Sequence, residues 1–116
     1  MKKRDYLDYI QDIVDSVIDI ENFIRGMGFN DFSQDKKTIN AVVRSLEVIG
    51  EAAKRVSESL RKKYPRLPWK EMARMRDKLI HGYSGVDVEI VWKVVKDEIP
   101  PLKPSIEQVL KDLKEK

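Results

Sequence analysis

The octet RDKLIHGY, Arg76 to Tyr83, holds the chain's only histidine between an arginine and a tyrosine. These side-chain types suit the cutting of RNA. RNA carries its own nucleophile, the ribose 2′-hydroxyl beside the scissile phosphate. Cleavage then needs a base for that hydroxyl, an acid for the leaving oxygen and positive charge for the developing phosphorane. A histidine, with a reference pKa of about 6.5, serves as base or acid at neutral pH. An arginine stays charged and grips phosphate oxygens through two parallel hydrogen bonds.

On a continuous helix Arg76 and Tyr83 are nearly eclipsed, and Asp77 and His81 share a face. Arg76 and His81 then stand roughly 140° apart around the axis and about 7.5 Å apart along it, within reach of one phosphate. Asp77 is placed to hydrogen-bond one ring nitrogen of His81 and fix its tautomer. Gly82 ends the helix, so Tyr83 need not continue the projection. One histidine per chain is too few for a base and an acid, and neither Asp77 nor Tyr83 has a suitable unperturbed pKa. A two-fold homodimer answers this by bringing both copies of Arg76 and His81 into one cleft. Nothing in the sequence calls for a metal or another cofactor: there is no cysteine, one histidine and no tight carboxylate cluster. A lone histidine near a helix end also serves as a cap for the last carbonyls. The octet by itself leaves both roles open.

The elements that must position these residues are helical. From Asp5 to Arg25 the apolar residues Tyr6, Tyr9, Ile10, Ile13, Val14, Val17, Ile20 and Ile24 recur at steps of three and four, and Gly26 and Gly28 end the run. Ser33 is the expected N-cap of a second helix whose stripe runs from Ile39 to Leu60. Along another face of it lie Arg44, Glu47, Glu51 and Arg55, spaced to pair with one another. Arg44, Glu47 and Glu51 are also candidates to line a cleft. Gly50 weakens a helix interior by about 1 kcal/mol relative to alanine, which points to close approach of another helix there. The segment KKYPRLP breaks the pattern. A third helix is expected from Trp69 through His81, and a fourth carries Val88, Val91, Trp92 and Val95 and stops at Pro100-Pro101. Pro104 fits the first turn of a fifth. Trp69 and Trp92 read as core anchors. No segment alternates with period two, so strands are not expected. The prediction is an all-α, up-and-down bundle of about five helices in one domain.

Composition bounds the rest. Apolar residues make up 41% of the 116, enough for one core, and charged residues 37% with bases exceeding acids by three. That balance describes mixed-charge helix faces better than a polybasic coat. The start, MKKRDYLDYI, has no secretory apolar run, and no stretch approaches the roughly 20 apolar residues of a membrane span. A cytoplasmic protein without membrane association is the expectation.

Arg76, four residues, His81, one residue and Tyr83 resemble the signature of the HepT-like ribonuclease toxins of the HEPN superfamily. AVVRSLEVIGEAAKRV, LPWKEMARMRDKLIHGYSGVDVEIVWKVV and IPPLKPSIEQVL are similar to that family in order and spacing, and cover nearly the whole chain. The resemblance implies one HEPN-like domain over residues 1–116, acting as a homodimer. It also implies a metal-independent endoribonuclease, with Arg76 and His81 as the catalytic pair and Asp77 as a supporting polar residue. Tyr83 matches the tyrosine to which a partner antitoxin, a minimal nucleotidyltransferase, adds AMP. Together these describe the toxin of a type VII-like toxin–antitoxin system. The alternative is a helical module that binds nucleotide or RNA without cutting it and scaffolds the transferase. A third possibility is a purely structural bundle.

Overall fold

The first apolar stripe forms the helix it predicts. A computed structural model describes residues 3–81 and 85–115, and in it α1 spans Lys3–Phe23. Ile10, Ile13, Val17 and Ile20, one side of that helix, are fully buried. Each such side chain contributes about 2 kcal/mol through burial. The chain then turns through Gly26, whose φ of +79° suits a residue without a Cβ.

Helix boundaries depart from expectation where tertiary contacts choose between rival caps. Ser33 does not cap the second long helix. It lies inside a short helix, α2 (Phe29–Gln34), where its hydroxyl donates to the Asn30 carbonyl. Phe32 is fully buried against the Trp92 ring, 5.0 Å between centroids, and this contact draws the segment into a helical turn. Asp35 is the cap actually used: its Oδ1 accepts from Thr38 N at 3.0 Å and opens α3 (Lys36–Arg55). Hydrogen bonding from Thr38 holds the Asp35 carboxyl below its usual pKa. The stripe expected to reach Leu60 on one helix is also divided. Val56 is extended, and Ser57 caps α4 (Glu58–Lys63) by accepting from Leu60 N. Leu60 still reaches the core, and the Arg61 guanidinium folds back to donate to the Ala53 carbonyl at 2.6 Å, an oxygen that also accepts from Val56 N at the end of α3.

The third predicted helix is two. α5 (Trp69–Ala73) ends at Arg74 (φ −95°, ψ 8°), and α6 (Met75–Leu79) follows. Met72 and Met75, on either side of the kink, are both buried in the core. A two-residue antiparallel strand pair, which no period-two pattern foretold, joins β1 (Ile80–His81) to β2 (Gly85–Val86). The following α7 (Val88–Lys93) is capped by Asp87, whose Oδ1 accepts from Ile90 N. Pro100 and Pro101 do not stop a helix. A π-helical turn (Val94–Glu98) passes into α8 (Ile99–Lys114), and the prolines occupy its first turn, where backbone N–H groups have no partner within the helix. Pro104, expected in that first turn, lies farther inside α8. Among the described residues there are thus eight α-helical segments, not about five, in a fold that is nonetheless all-α in class. α1 packs between α3 and α8, while α5 and α6 lie on α3. None of the described helices is long and apolar enough to cross a membrane.

Tyr64 ties the break after α4 to the far end of the chain. Its hydroxyl donates to Asp112 Oδ2 at 2.7 Å, and its carbonyl accepts from Trp69 Nε1 at 3.0 Å. Burial and the bond to the Asp112 carboxylate push the phenol up to about 12. A raised folded-state pKa gives stability that is complete below the unfolded value near 10 and is lost as pH rises through about 12. Spectrophotometric titration of the folded protein should show one tyrosinate forming near pH 12, a step that Tyr64→Phe removes.

Candidate active site

Gly50 sets the geometry. A Cβ there would stand 3.3 Å from the Met72 carbonyl oxygen, 3.6 Å from that of Ala73 and 3.7 Å from Met75 Cβ. The small residue therefore lets α3 lie against the kink between α5 and α6, as its place inside a helix suggested. One turn earlier on α3, Glu47 comes within reach of α6, and its Oε2 lies 3.3 Å from Arg76 Nε. The contact engages one of the five N–H donors of the guanidinium. The Arg76 side chain is 60% exposed, so the fork remains open to a ligand. On the other side of α6, Lys78 Nζ binds both carboxylate oxygens of Glu98, at 3.2 and 3.4 Å, and pins the helix to the end of the π turn.

His81 is placed by strand pairing and not by helix continuation. Its backbone pairs with Gly85, Ile80 pairs with Val86, and Asp87 N donates to the Leu79 carbonyl at 3.1 Å. Gly85 has a φ of +81°, which lets the chain come back on itself after so short a strand. Because α6 ends at Leu79, the helical projection that set Asp77 beside His81 and Arg76 over Tyr83 does not hold. Extended residues rise about 3.3 Å each against 1.5 Å in a helix, so the path from Arg76 to His81 is longer than a continuous helix would make it. The His81 side chain and all of Tyr83 lie outside the described residues.

The other candidates fall on two surfaces. Asp77 is exposed and lines an open groove of about 350 Å³ with Lys70, Glu71, Arg74 and Lys78. On α3, Arg44, Glu47 and Glu51 form one row by helical spacing. The expected pairing along that row is replaced at Glu47 by the cross-helix contact to Arg76. Glu51 pairs instead with Lys54 at 3.7 Å, both half exposed, and Arg44 is exposed. Only Glu47 of the three is brought to the arginine of the octet by a contact between described side chains. Sequence reasoning missed the two devices that hold this region: the Asp87 cap, signalled by an aspartate just before VEIVW, and the Lys78–Glu98 clamp, whose partners are 20 residues apart and carry no local signal.

Comparison with known proteins decides the family. The family model for "Ribonuclease HepT-like" proteins matches residues 13–109. The chain belongs to the HepT-like ribonuclease family. A Thermococcus cleftensis protein named "Probable ribonuclease HepT" is 51% identical over 109 residues, covering 94% of this chain and 99% of its own. Two Methanocaldococcus jannaschii proteins, each named "Putative RNase", are 48% identical. One alignment covers 97% of this chain and 93% of the relative, and the other covers both completely. No solved structure matches.

Proposed function

We propose that this HepT-like ribonuclease cuts RNA without a metal, through Arg76 and His81 in the cleft of a homodimer. The observation that carries this reading is the Arg76–Glu47 contact at 3.3 Å, which orients a largely exposed guanidinium a few residues before the paired backbone of His81. Arg76 binds the scissile phosphate and its developing charge. One copy of His81 takes the proton of the 2′-hydroxyl, the hydroxyl oxygen bonds to phosphorus, and the bond to the 5′ oxygen breaks. The second copy gives that oxygen its proton, leaving a 2′,3′-cyclic phosphate and a 5′-hydroxyl.

The wider role is that of a cytoplasmic toxin in a type VII-like toxin–antitoxin pair, with a minimal nucleotidyltransferase as its antitoxin. Addition of AMP to Tyr83, a residue of the same octet as Arg76, brings negative charge and bulk to the substrate groove and so disfavours RNA there. The test is cleavage of cellular RNA by purified protein in excess EDTA, with its mass confirming an unmodified Tyr83. Cyclic-phosphate ends are expected, and activity restored only by added metal sinks the mechanism.

Glu47 acts as a positioning residue. Glu47→Ala removes a negative charge near the phosphate site and also frees the guanidinium to wander. KM should fall slightly while kcat falls about tenfold, roughly 1.4 kcal/mol at the transition state. Stability should change by no more than about 1 kcal/mol, because the pair is partly solvated. Steady-state cleavage of a labelled RNA checks the split, and Glu47→Gln, which keeps an acceptor for Arg76 Nε, should recover much of kcat.

A further inference from the structure

The basic residues of the chain are unevenly placed. Arg61, Lys62, Lys63, Arg66 and Lys70 fall within ten positions that hold no acid, and the rest of the chain carries more acids than bases. In the fold this run borders a cavity of about 460 Å³ between the α4–α5 connection and α8, a size within the range of small-ligand sites. Its walls include Tyr64, Pro65, Leu67 and Pro104, and exposed Lys63 and Arg66 stand among its lining residues. Tyr64 is held at its ring tip by the hydroxyl bond to Asp112 and at its main chain by the bond from Trp69 Nε1 to its carbonyl. Gln108 Nε2 donates to the other oxygen of Asp112 at 2.8 Å, which keeps that carboxylate engaged behind the ring. A fixed aromatic ring and flat proline faces beside two cations complement a particular ligand chemistry: a planar base joined to phosphates.

We propose that this cavity is a second RNA subsite, taking one unpaired base against Tyr64, Pro65 and Pro104 with the flanking phosphates on Lys63 and Arg66. An aromatic platform with cations alongside is the arrangement that binds single strands with little regard for sequence. A duplex is a poorer occupant, because its base faces are stacked and unavailable. The cavity shares no lining residue with the Arg76–Glu47 contact. It therefore adds a hold on the strand away from the cutting site and favours RNA with an unpaired segment. The inference rests on the reading that the protein acts on RNA.

The test measures binding of a fluorescein-labelled 12-residue oligouridylate by anisotropy, in full-length protein carrying His81→Ala so that the strand stays intact. Lys63→Glu with Arg66→Glu should weaken binding about tenfold or more at low salt. It should also lower the slope of log affinity against log salt by about 1.4, the value for two lost phosphate contacts on a single strand. Lys36→Glu with Lys37→Glu makes the same charge change on exposed residues at the start of α3 and should do far less. Equal losses from both pairs, or no loss from the first, overturn the subsite. Tyr64→Leu, checked for folding by thermal melting, should weaken binding without altering the salt slope, and unchanged binding in the folded variant overturns the stacking. Should Tyr64→Leu not fold, the charge pair decides alone. Cleavage in the His81 parent is scored separately. If the parent cuts RNA but the Lys63/Arg66 pair binds normally, the subsite falls and the catalytic reading stands; if the parent does not cut but the pair loses binding, the reverse holds.

Discussion

Replacing His81 by alanine should lower RNA cleavage about a thousandfold, the usual worth of a positioned general acid or base, and should leave the melting temperature nearly unchanged. The stability half of this expectation follows from the strand pair. His81 is held in register with Gly85 through backbone groups, which alanine keeps. The catalytic half follows from there being one histidine in the chain, so no second imidazole on the same chain can take over. If both copies of His81 work in one cleft, one as base and one as acid, heterodimers of parent and His81→Ala chains should retain far less than about half of the parental rate. Two independent sites would retain that half. The rate should also follow a bell-shaped pH profile, since one imidazole must be neutral while the other is protonated. Co-purified heterodimers with one tagged chain give the measurement directly. A cleavage rate unchanged by His81→Ala removes the histidine from the reaction, and a rate lost together with the melting transition returns it to a structural role.

What the sequence made legible, and what it did not, divides by the range of the forces involved. The stripe on α1 and the costly glycine inside a helical run at Gly50 are local signals, and what each implied holds in the fold. The choice of Asp35 over Ser33 as a cap is not local. Either residue can accept from the backbone, and the burial of Phe32 against Trp92, 60 positions away, decides between them. The division at Arg74 carries no proline or glycine to announce it, and it falls where α5 and α6 both lie against α3. The same division ends the continuous helix on which Arg76, Asp77 and His81 had been projected. Spacing could name the candidate residues but not their relative placement. Glu47, first read as one member of a row on α3, proves to be the residue of that row that reaches Arg76, a contact set by the approach of two helices. The π turn at Val94–Glu98 was likewise illegible, since its apolar residues read equally well as α.

That helix approach carries the second large effect. Gly50→Val should destabilise the protein by about 3 kcal/mol, as overpacking a tight core position does, and lower its melting temperature by roughly 10 °C. The first atom added at this position already meets the Met72 carbonyl oxygen at 3.3 Å, inside the separation that neighbours tolerate without moving. That oxygen belongs to the backbone of α5 and cannot swing aside as a side-chain tip would. The next two carbons of valine must push α3 away from the α5–α6 kink. Gly50→Ala is the instructive control. It gains about 1 kcal/mol of helix propensity against one tight contact, so the net change should stay within about 1 kcal/mol of zero. The two variants should also part in activity. Displacing α3 carries Glu47 away from Arg76, so the fraction of Gly50→Val that remains folded at low temperature should cut RNA with a reduced kcat, in the direction expected of Glu47→Ala. Denaturant melts of both variants, paired with cleavage assays well below the melting transition, separate lost fold from lost alignment. A Gly50→Val protein as stable as its parent would mean that α3 does not pack as closely on α5 and α6 as the carbonyl distances require, and with that the basis for the Glu47–Arg76 contact would go.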